Sequence, residues 1–392
     1  IIISEPSNPW VSGVASLFSQ EFYARITKHM SPGGILAQWI QLYELEPALV
    51  VSILKALRLT FPTAVVYATN NNNLLILARR DGPVGPLSEA PLRVSEIRDE
   101  LARHGILGMA DLRLHRIADL PTLEPLLKTF NVPANSDYFP YLDNHAVKAR
   151  FLQKSAKNFV RLTLGTVPLM SFLSPEDNHP LDAPSPYPID QPAPSRRPLL
   201  RQANVDHARR IAASPLQKTG ELSDVNEVAQ AVLAYLKRHA QHCATTAALT
   251  PRQQLTMSDA LHTLGKMTNG YLPPDVALDF WTHLRAELCP GRLGESPNLW
   301  LDLMIQIAGR RQADMGRTAE RLLASAAPLT DAQRATLVSC RLLHLIAQPD
   351  PAGALQLWNR HRAHLGHDDA RRLRFRLLLA HAAMPGRGPN AP

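Results

Sequence analysis

Apolar residues in the first eighty positions recur with two alternating periods, one typical of strands and the other typical of helices. β-branched runs such as Ile1–Ile3 are typical of buried parallel strands. Phe18, Phe22 and Ile26 are spaced four residues apart, which predicts an amphipathic helix. The pattern predicts four strands, at Ile1–Ser4, Ile35–Ile40, Thr63–Thr69 and Leu74–Ala78, and two helices, at 15–30 and 47–61.

The order strand, helix, strand, helix, strand, strand is typical of the closing half of a doubly wound α/β sheet. The short Asn70–Asn73 turn between the last two strands predicts an antiparallel hairpin. In such a sheet the strands are mainly parallel and helices cover both faces. Because the chain opens directly on an apolar strand, we expect the first half of this domain to precede Ile1.

Three further segments follow residues 1–80. Residues 81–178 predict a mostly helical extension, in which Asp119 caps a helix at 120–130 and a second helix covers 95–104. Residues 179–200 are rich in proline and predict a linker. The sequence pattern of residues 201–385 predicts helices throughout.

The helices of residues 201–385 are divided by short turns into units of two, which predicts an all-α, tetratricopeptide-like repeat domain. The usual Trp-Leu-Gly-Tyr signature is absent. We expect Trp281, Trp300 and Trp358 to pack between helices rather than to stack on a ligand.

Composition and charge exclude several classes of protein. Of the 392 residues, 45% are hydrophobic and 19% are charged, which is ordinary for a globular protein and argues against disorder. The net charge of +8 lies mainly in residues 201–392, where 23 Lys and Arg face 16 Asp and Glu. These cations are scattered along predicted helices, so solvated faces are favoured and no nucleic-acid partner is expected. One run stands out, at Arg371, Arg372, Arg374 and Arg376.

Cysteine and histidine spacing favours neither a disulfide framework nor a metal site. Cys243, Cys289 and Cys340 are widely separated and form no CxxC pair, so we expect reduced, partly buried thiols in a cytosol-type compartment. No HExxH-like spacing occurs among the 15 histidines. The longest apolar stretch falls short of the roughly 20 residues that cross a bilayer. We therefore expect a cytoplasmic location, with membrane attachment only through segments upstream of Ile1.

Candidate chemistry lies in the loop after the first strand. Ligands of open α/β sheets bind at the carboxyl ends of the strands, which places Glu5 at that edge. A carboxylate there can accept a proton from an attacking nucleophile. The alternative is that Glu5 and Asn8 only hydrogen-bond the loop and cap the next helix. Asp137 offers the same two interpretations, a substrate contact or an ordinary loop residue, and the loop residue is favoured.

Several motifs resemble the spermidine synthase (polyamine aminopropyltransferase) family, and most of all its divergent members fused to membrane segments. The loop I-I-S-E-P-S-N-P-W leads to E-F-Y at 21–23, and S-P-G-G-I-L-A-Q-W follows at 31–39. N-S-D-Y-F-P at 135–140 resembles the segment that follows the synthase domain in those fused proteins. The resemblance implies a class I methyltransferase-like, Rossmann-like sheet, covered here by its C-terminal half.

The resemblance also implies roles for individual residues. The family's general base falls on Glu5 and its amine-binding Asp falls on Asn8, with Ser7 between them. The family's substrate-binding Gln falls near Gln38, although alignment without gaps places Trp39 there. The Tyr-Pro segment that closes the family's pocket has no counterpart. Asn8 removes a negative charge that would hold a protonated diamine, so an altered acceptor amine is expected.

The expected activity is transfer of an aminopropyl group from decarboxylated S-adenosylmethionine to an amine, without a metal. The nucleotide site is expected upstream of Ile1, so the chain by itself is expected to be inactive. One alternative is a synthase-like domain without catalysis, whose helical tail recruits a protein partner. Another is a methyltransferase that uses S-adenosylmethionine on the same fold.

Overall fold

The structure is a computed structural model that describes residues 1–174, 212–216, 227–241 and 248–384. Within these ranges the described residues exclude positions 12, 71, 105, 107, 163, 164, 214, 271 and 366–368. The predicted linker at 179–200 and Cys243 lie outside the described residues.

The described part of the chain contains one five-stranded mixed sheet with the strand order β1-β2-β4-β3-β5. Strand β1 pairs in parallel with β2, and β4 is antiparallel to both β2 and β3. Thus β1, β2 and β3 run in one direction, and the predicted antiparallel hairpin is confirmed. The strands are β1 (Ile2–Ser4), β2 (Ile35–Gln41), β3 (Val65–Asn70), β4 (Asn73–Arg79) and β5 (Arg116–Asp119).

The fifth strand differs from the sequence prediction, which made residues 81–178 mostly helical. Strand β5 adds to the far edge of the sheet, antiparallel to β3. The helices of this half are α1 (Gln20–Thr27), α2 (Pro47–Thr60), α3 (Ser95–Arg103), α4 (Met109–Leu114), α5 (Leu120–Lys128), α6 (Tyr141–Phe151) and α7 (Leu169–Leu173). Asp119 caps α5 as predicted, because its carboxylate accepts a hydrogen bond of 2.7 Å from the Thr122 amide.

One face of the sheet is packed under helices and the other is half-exposed. Helix α2 contacts α1, α5 and α6 on the packed face, where Leu36, Ile40 and Ile76 are fully buried. On the opposite face Trp39 and Leu75 pair across β2 and β4 and are only half-buried. The expectation of helices on both faces is therefore not met within the described residues.

The second half is helical, and no strand occurs among its described residues. Most helices that follow one another along the chain pack side by side, but the helix at 251–268 packs on the helix at 295–308 rather than on the one between them. The tetratricopeptide-like arrangement stays a prediction. These helices are α8 (Glu227–Gln241), α9 (Pro251–Thr268), α10 (Pro274–Glu287), α11 (Glu295–Ala308), α12 (Gln312–Ala324), α13 (Asp331–Ala347), α14 (Pro351–Leu365) and α15 (Asp369–Ala382).

The tryptophans of this half pack between helices, as predicted. The Trp281 indole is fully buried and donates a hydrogen bond of 2.7 Å to Asn269. Trp300 lies against the His262 ring, with 5.2 Å between centroids. Trp358 packs on Phe375 of the last helix.

Two cysteines are in different states. Cys340 is free and buried, as expected. Cys289 is disulfide-bonded, so the prediction of reduced thiols is wrong for this residue. Wide spacing along the chain does not report distance in space, so the sequence could not reveal the bond. A disulfide is typical of an oxidising compartment, so Cys289 does not support the cytosol-type setting.

No helix in the described part of the chain is long and apolar enough to cross a membrane. Within the same residues, no group of three or more His, Cys, Asp or Glu side chains is arranged to hold a metal ion.

Candidate active site

The candidate site lies where β1 and β2 end. These two strands are parallel, so their carboxyl ends meet at one edge of the sheet. Glu5 follows β1 directly and is exposed. Its carboxylate forms no hydrogen bond or ion pair with any described residue. The alternative, in which the Glu5 side chain hydrogen-bonds the loop, is therefore not observed for Glu5. A free carboxylate at this edge is available to a ligand.

The loop that carries Glu5 is held by Gln41, the last residue of β2. The Gln41 side chain is almost fully buried and accepts a hydrogen bond of 3.3 Å from the Asn8 amide. Asn8 has a left-handed backbone, with φ of 62°, a conformation that Asn tolerates better than most residues. Its carbonyl accepts from the Val11 amide at 2.9 Å and closes a tight turn. The backbone of Asn8 thus shapes the loop, while its side chain and that of Ser7 are exposed.

The Gln38 side chain hydrogen-bonds the backbone at the end of β1. Its side chain is fully buried and donates to the Ser4 carbonyl at 3.2 Å and to the Trp39 carbonyl at 3.0 Å. Its amide oxygen accepts a hydrogen bond of 3.4 Å from the Tyr23 hydroxyl. Both donors of the amide are therefore used within the fold, immediately before Glu5.

Trp39 lies on the opposite face of the sheet from Gln38, because successive residues of a strand point to opposite faces. Its cross-strand partner is Leu75. The two candidates that the resemblance proposed for one substrate contact therefore cannot face the same side. Gln38 bonds the loop only at the Ser4 carbonyl, and the Trp39 side chain forms no hydrogen bond with a described residue.

Asp137 belongs to a segment that is anchored on the start of α1. The Glu21 carboxylate accepts a hydrogen bond of 2.7 Å from the Ser136 hydroxyl and one of 2.9 Å from the Asp137 amide. The Asn135 side chain donates to the Ala15 carbonyl at 3.0 Å. The Asp137 carboxylate itself is exposed, and no hydrogen bond joins it to Glu5.

These bonds determine the charge of Glu21. Burial raises the pKa of the carboxyl, but hydrogen bonds from Gln20, the Asp137 amide and Ser136 outweigh it and lower the pKa to about 2. Glu21 is thus ionised in the folded protein. Its role was missed at the sequence level, although its place in the E-F-Y motif was a signal.

A further cluster lies at the outer side of the loop. The Arg150 guanidinium stands 4.8 Å from the centre of the Trp10 ring and 3.6 Å from the Glu44 carboxylate. Arg150 belongs to α6, so this contact holds that helix beside the loop. This contact was not predictable from the sequence, because a long-range contact between loop and helix leaves no local pattern.

In comparisons with known proteins, no family model, no curated protein and no solved structure matches this chain.

Proposed function

We propose that the complete protein is a spermidine synthase-like transferase, which moves an aminopropyl group from decarboxylated S-adenosylmethionine to an amine, with Glu5 as the general base. The observation that carries this proposal is the exposed, unpaired Glu5 carboxylate at the carboxyl end of β1. This edge is where open α/β sheets bind their ligands. Gln38 and Gln41 fix the backbone on either side of Glu5, as a positioned base requires.

The proposed step is a direct displacement. The amine nitrogen attacks the aminopropyl carbon that is bound to the sulfonium, and the carbon–sulfur bond breaks with its electron pair going to sulfur. A thioether leaves, and the proton of the attacking nitrogen passes to Glu5. No covalent intermediate on the protein is required.

Contacts between the resembling segments support the family-type architecture. The E-F-Y segment meets the N-S-D segment through Glu21 and Ser136, although 115 positions separate them. It meets the A-Q-W segment through Tyr23 and Gln38. Segments picked out by one resemblance therefore meet in space. The strand order, with antiparallel β4 beside β2, is also that expected for the closing half of a methyltransferase-like sheet.

Asn8 supports an altered acceptor. It is exposed three residues after Glu5 and carries no charge, so a protonated diamine would lose a charge-assisted hydrogen bond there. The loss corresponds to roughly 1.5–3 kcal/mol of binding free energy. We therefore propose an acceptor amine other than a simple diamine, with Ser7 and Asp137 as further contacts.

A non-catalytic scaffold is the second candidate. It is favoured by Gln38, because both N–H groups of its side-chain amide donate to backbone carbonyls of the fold and are not available to a substrate. In this case the side-by-side helices of the second half would bind a protein partner. Binding of decarboxylated S-adenosylmethionine or its thioether product separates the two candidates, because only the transferase requires it.

The test uses the complete protein and the variant Glu5→Gln. We expect turnover to fall at least about a hundredfold, with nearly unchanged nucleotide affinity in calorimetry, because general base catalysis contributes about 10²–10⁴. Glu89→Gln, another exposed carboxylate, is the matched control and should keep full turnover. Undiminished turnover in Glu5→Gln would eliminate the assignment. Absence of any heat or thermal shift with either nucleotide would favour the scaffold.

A further inference from the structure

The C-terminal end of α6 exposes large apolar side chains where a solvent-facing helix is usually polar. Leu142, Ala146 and Ala149 point inward and are buried. On the opposite side Val147 is 56% exposed and Phe151, one turn later, is 86% exposed. Leu152, which follows the helix, is 49% exposed. Single exposed apolar residues are ordinary, but three neighbours on one helix end need an explanation.

The charge at the end of α6 and just after it is mostly positive, although Asp143 lies one turn before Val147 on the same side of the helix. From Asn144 to Pro175 the chain contains no Asp or Glu. Lys148 stands between Val147 and Phe151 on the exposed face, and Lys154 and Lys157 follow the helix, all three exposed. None of the three side chains forms an ion pair with a described residue. We call Val147, Lys148, Phe151, Leu152, Lys154 and Lys157 the α6 patch.

We propose that the α6 patch is a docking surface for an anionic lipid bilayer. Aromatic and aliphatic side chains on the face of a helix insert at the boundary between headgroups and acyl chains. Lysines beside them bind the acidic headgroups, and their long stems let the ammonium groups stay in the polar layer. The α6 patch combines exposed apolar side chains with exposed lysines close along the chain, which matches both requirements.

The same features disfavour a nucleic acid. Single-stranded nucleic acids are bound by several aromatic rings that stack on bases, often with arginine. The α6 patch has one ring, two aliphatic side chains and only lysines. The nearest arginine of the helix, Arg150, is occupied by Glu44 and the Trp10 ring.

The experiment measures cosedimentation of the protein with phosphatidylcholine vesicles that contain or lack phosphatidylserine. We expect binding only with phosphatidylserine, and weaker binding as salt is raised. Lys148→Glu is expected to lower the partition coefficient at least about fivefold, since one lysine near an anionic surface contributes about that factor. Phe151→Ser should also lower it at least about fivefold, because its ring no longer inserts.

Matched controls separate the α6 patch from general charge and hydrophobicity. Lys28→Glu makes the same charge change at an exposed lysine on another helix end, and Leu355→Ser removes an exposed leucine of α14. Both should bind as the wild type does. Absence of binding to phosphatidylserine vesicles, or equal losses in the controls, would overturn the proposal. So would RNA binding that depends on Lys148 and is unaffected by Phe151→Ser, without vesicle binding.

Discussion

At the scale of single residues, Glu21 joins two distant parts of the chain. Its carboxylate accepts from Ser136 and from the Asp137 amide, which holds the segment after α5 on the first turn of α1. A carboxylate that accepts several hydrogen bonds is stabilised in its charged form. The result is a structural carboxylate, distinct in role from the free carboxylate of Glu5.

Glu21 makes stability depend on acid pH. The folded-state pKa of about 2 lies below the ordinary value of 4.5. The contribution of this carboxylate to the free energy of unfolding is therefore present in full above pH 4.5 and is lost as the pH falls toward 2. We expect Glu21→Gln to be less stable than the wild type above pH 4.5, and the difference to shrink in acid.

Urea unfolding at a series of pH values measures this difference. Glu89→Gln, an exposed carboxylate far along the chain from these bonds, is the control and should follow the wild type. A difference between Glu21→Gln and the wild type that stays constant across the acid range would contradict the role given to Glu21.

At the scale of elements, a close helix contact that requires a glycine lies between α12 and α13. A Cβ added to Gly316 would collide with the Cβ and Cγ of His344. Alanine is the better helix former by about 1 kcal/mol, but forcing atoms into a packed contact costs about 1–3 kcal/mol. We expect Gly316→Ala to be destabilising by up to about 2 kcal/mol in thermal and urea unfolding.

Gly291→Ala provides the comparison, because a Cβ at Gly291 meets no atom within 4 Å. This variant should be neutral or slightly stabilised, since alanine restricts the unfolded chain. If Gly316→Ala were as stable as Gly291→Ala, the contact between the two helices would be looser than the structure indicates.

Strong periodic patterns explain which elements the sequence predicted. The strand and helix order of the first eighty residues and the antiparallel hairpin follow from apolar spacing and from the Asn turn. Strand β5 was missed because it has only four residues, Arg116–Asp119, of which two are apolar. Such a short strand forms because it can pair with the edge of the sheet at β3. This pairing is a tertiary contact, so the local sequence does not predict it.

The candidate site was predictable in position but not in its supporting contacts. Glu5 follows from the rule that ligands bind at the carboxyl edge, whereas the role expected of Asn8 rests on the resemblance alone. Gln41 was missed because the register of β1 against β2 decides which side chain meets the loop, and the sequence does not specify it. The alternation that separates Gln38 from Trp39 could have been foreseen, since both lie in one predicted strand.

At the scale of the whole molecule, the arginine run of the last helix joins the two halves of the chain. Arg374 donates to the carbonyls of Arg161, Leu162 and Val167, at 2.6–3.3 Å. Arg376 donates to Thr129 and covers the Phe130 ring, with 3.7 Å to its centre. Two of the four arginines of this run thus form hydrogen bonds within the fold.

His381 completes this contact between the halves. Its Nε2 lies 2.9 Å from the Thr122 carbonyl, which can only accept, so the Nε2–H donates. Helix α15 therefore contacts α5 and the turn at Lys157–Leu162 through three side chains spaced along one helix. Arg374 makes the most hydrogen bonds of the three, so its removal should weaken the contact between the helical half and the sheet half.

Arg374→Met tests this coupling. Desolvation lowers the pKa of Arg374 to about 10, which leaves it charged at neutral pH and able to donate to all three carbonyls. Methionine fills similar space but leaves those carbonyls without their donor, and we expect a loss of about 2–4 kcal/mol in the free energy of unfolding. Hydrogen exchange should become faster in both α15 and α5, because they protect each other.

Arg372→Met, on the same helix but 61% exposed, should leave exchange unchanged. Faster exchange confined to α15 would show that the two halves are held together elsewhere.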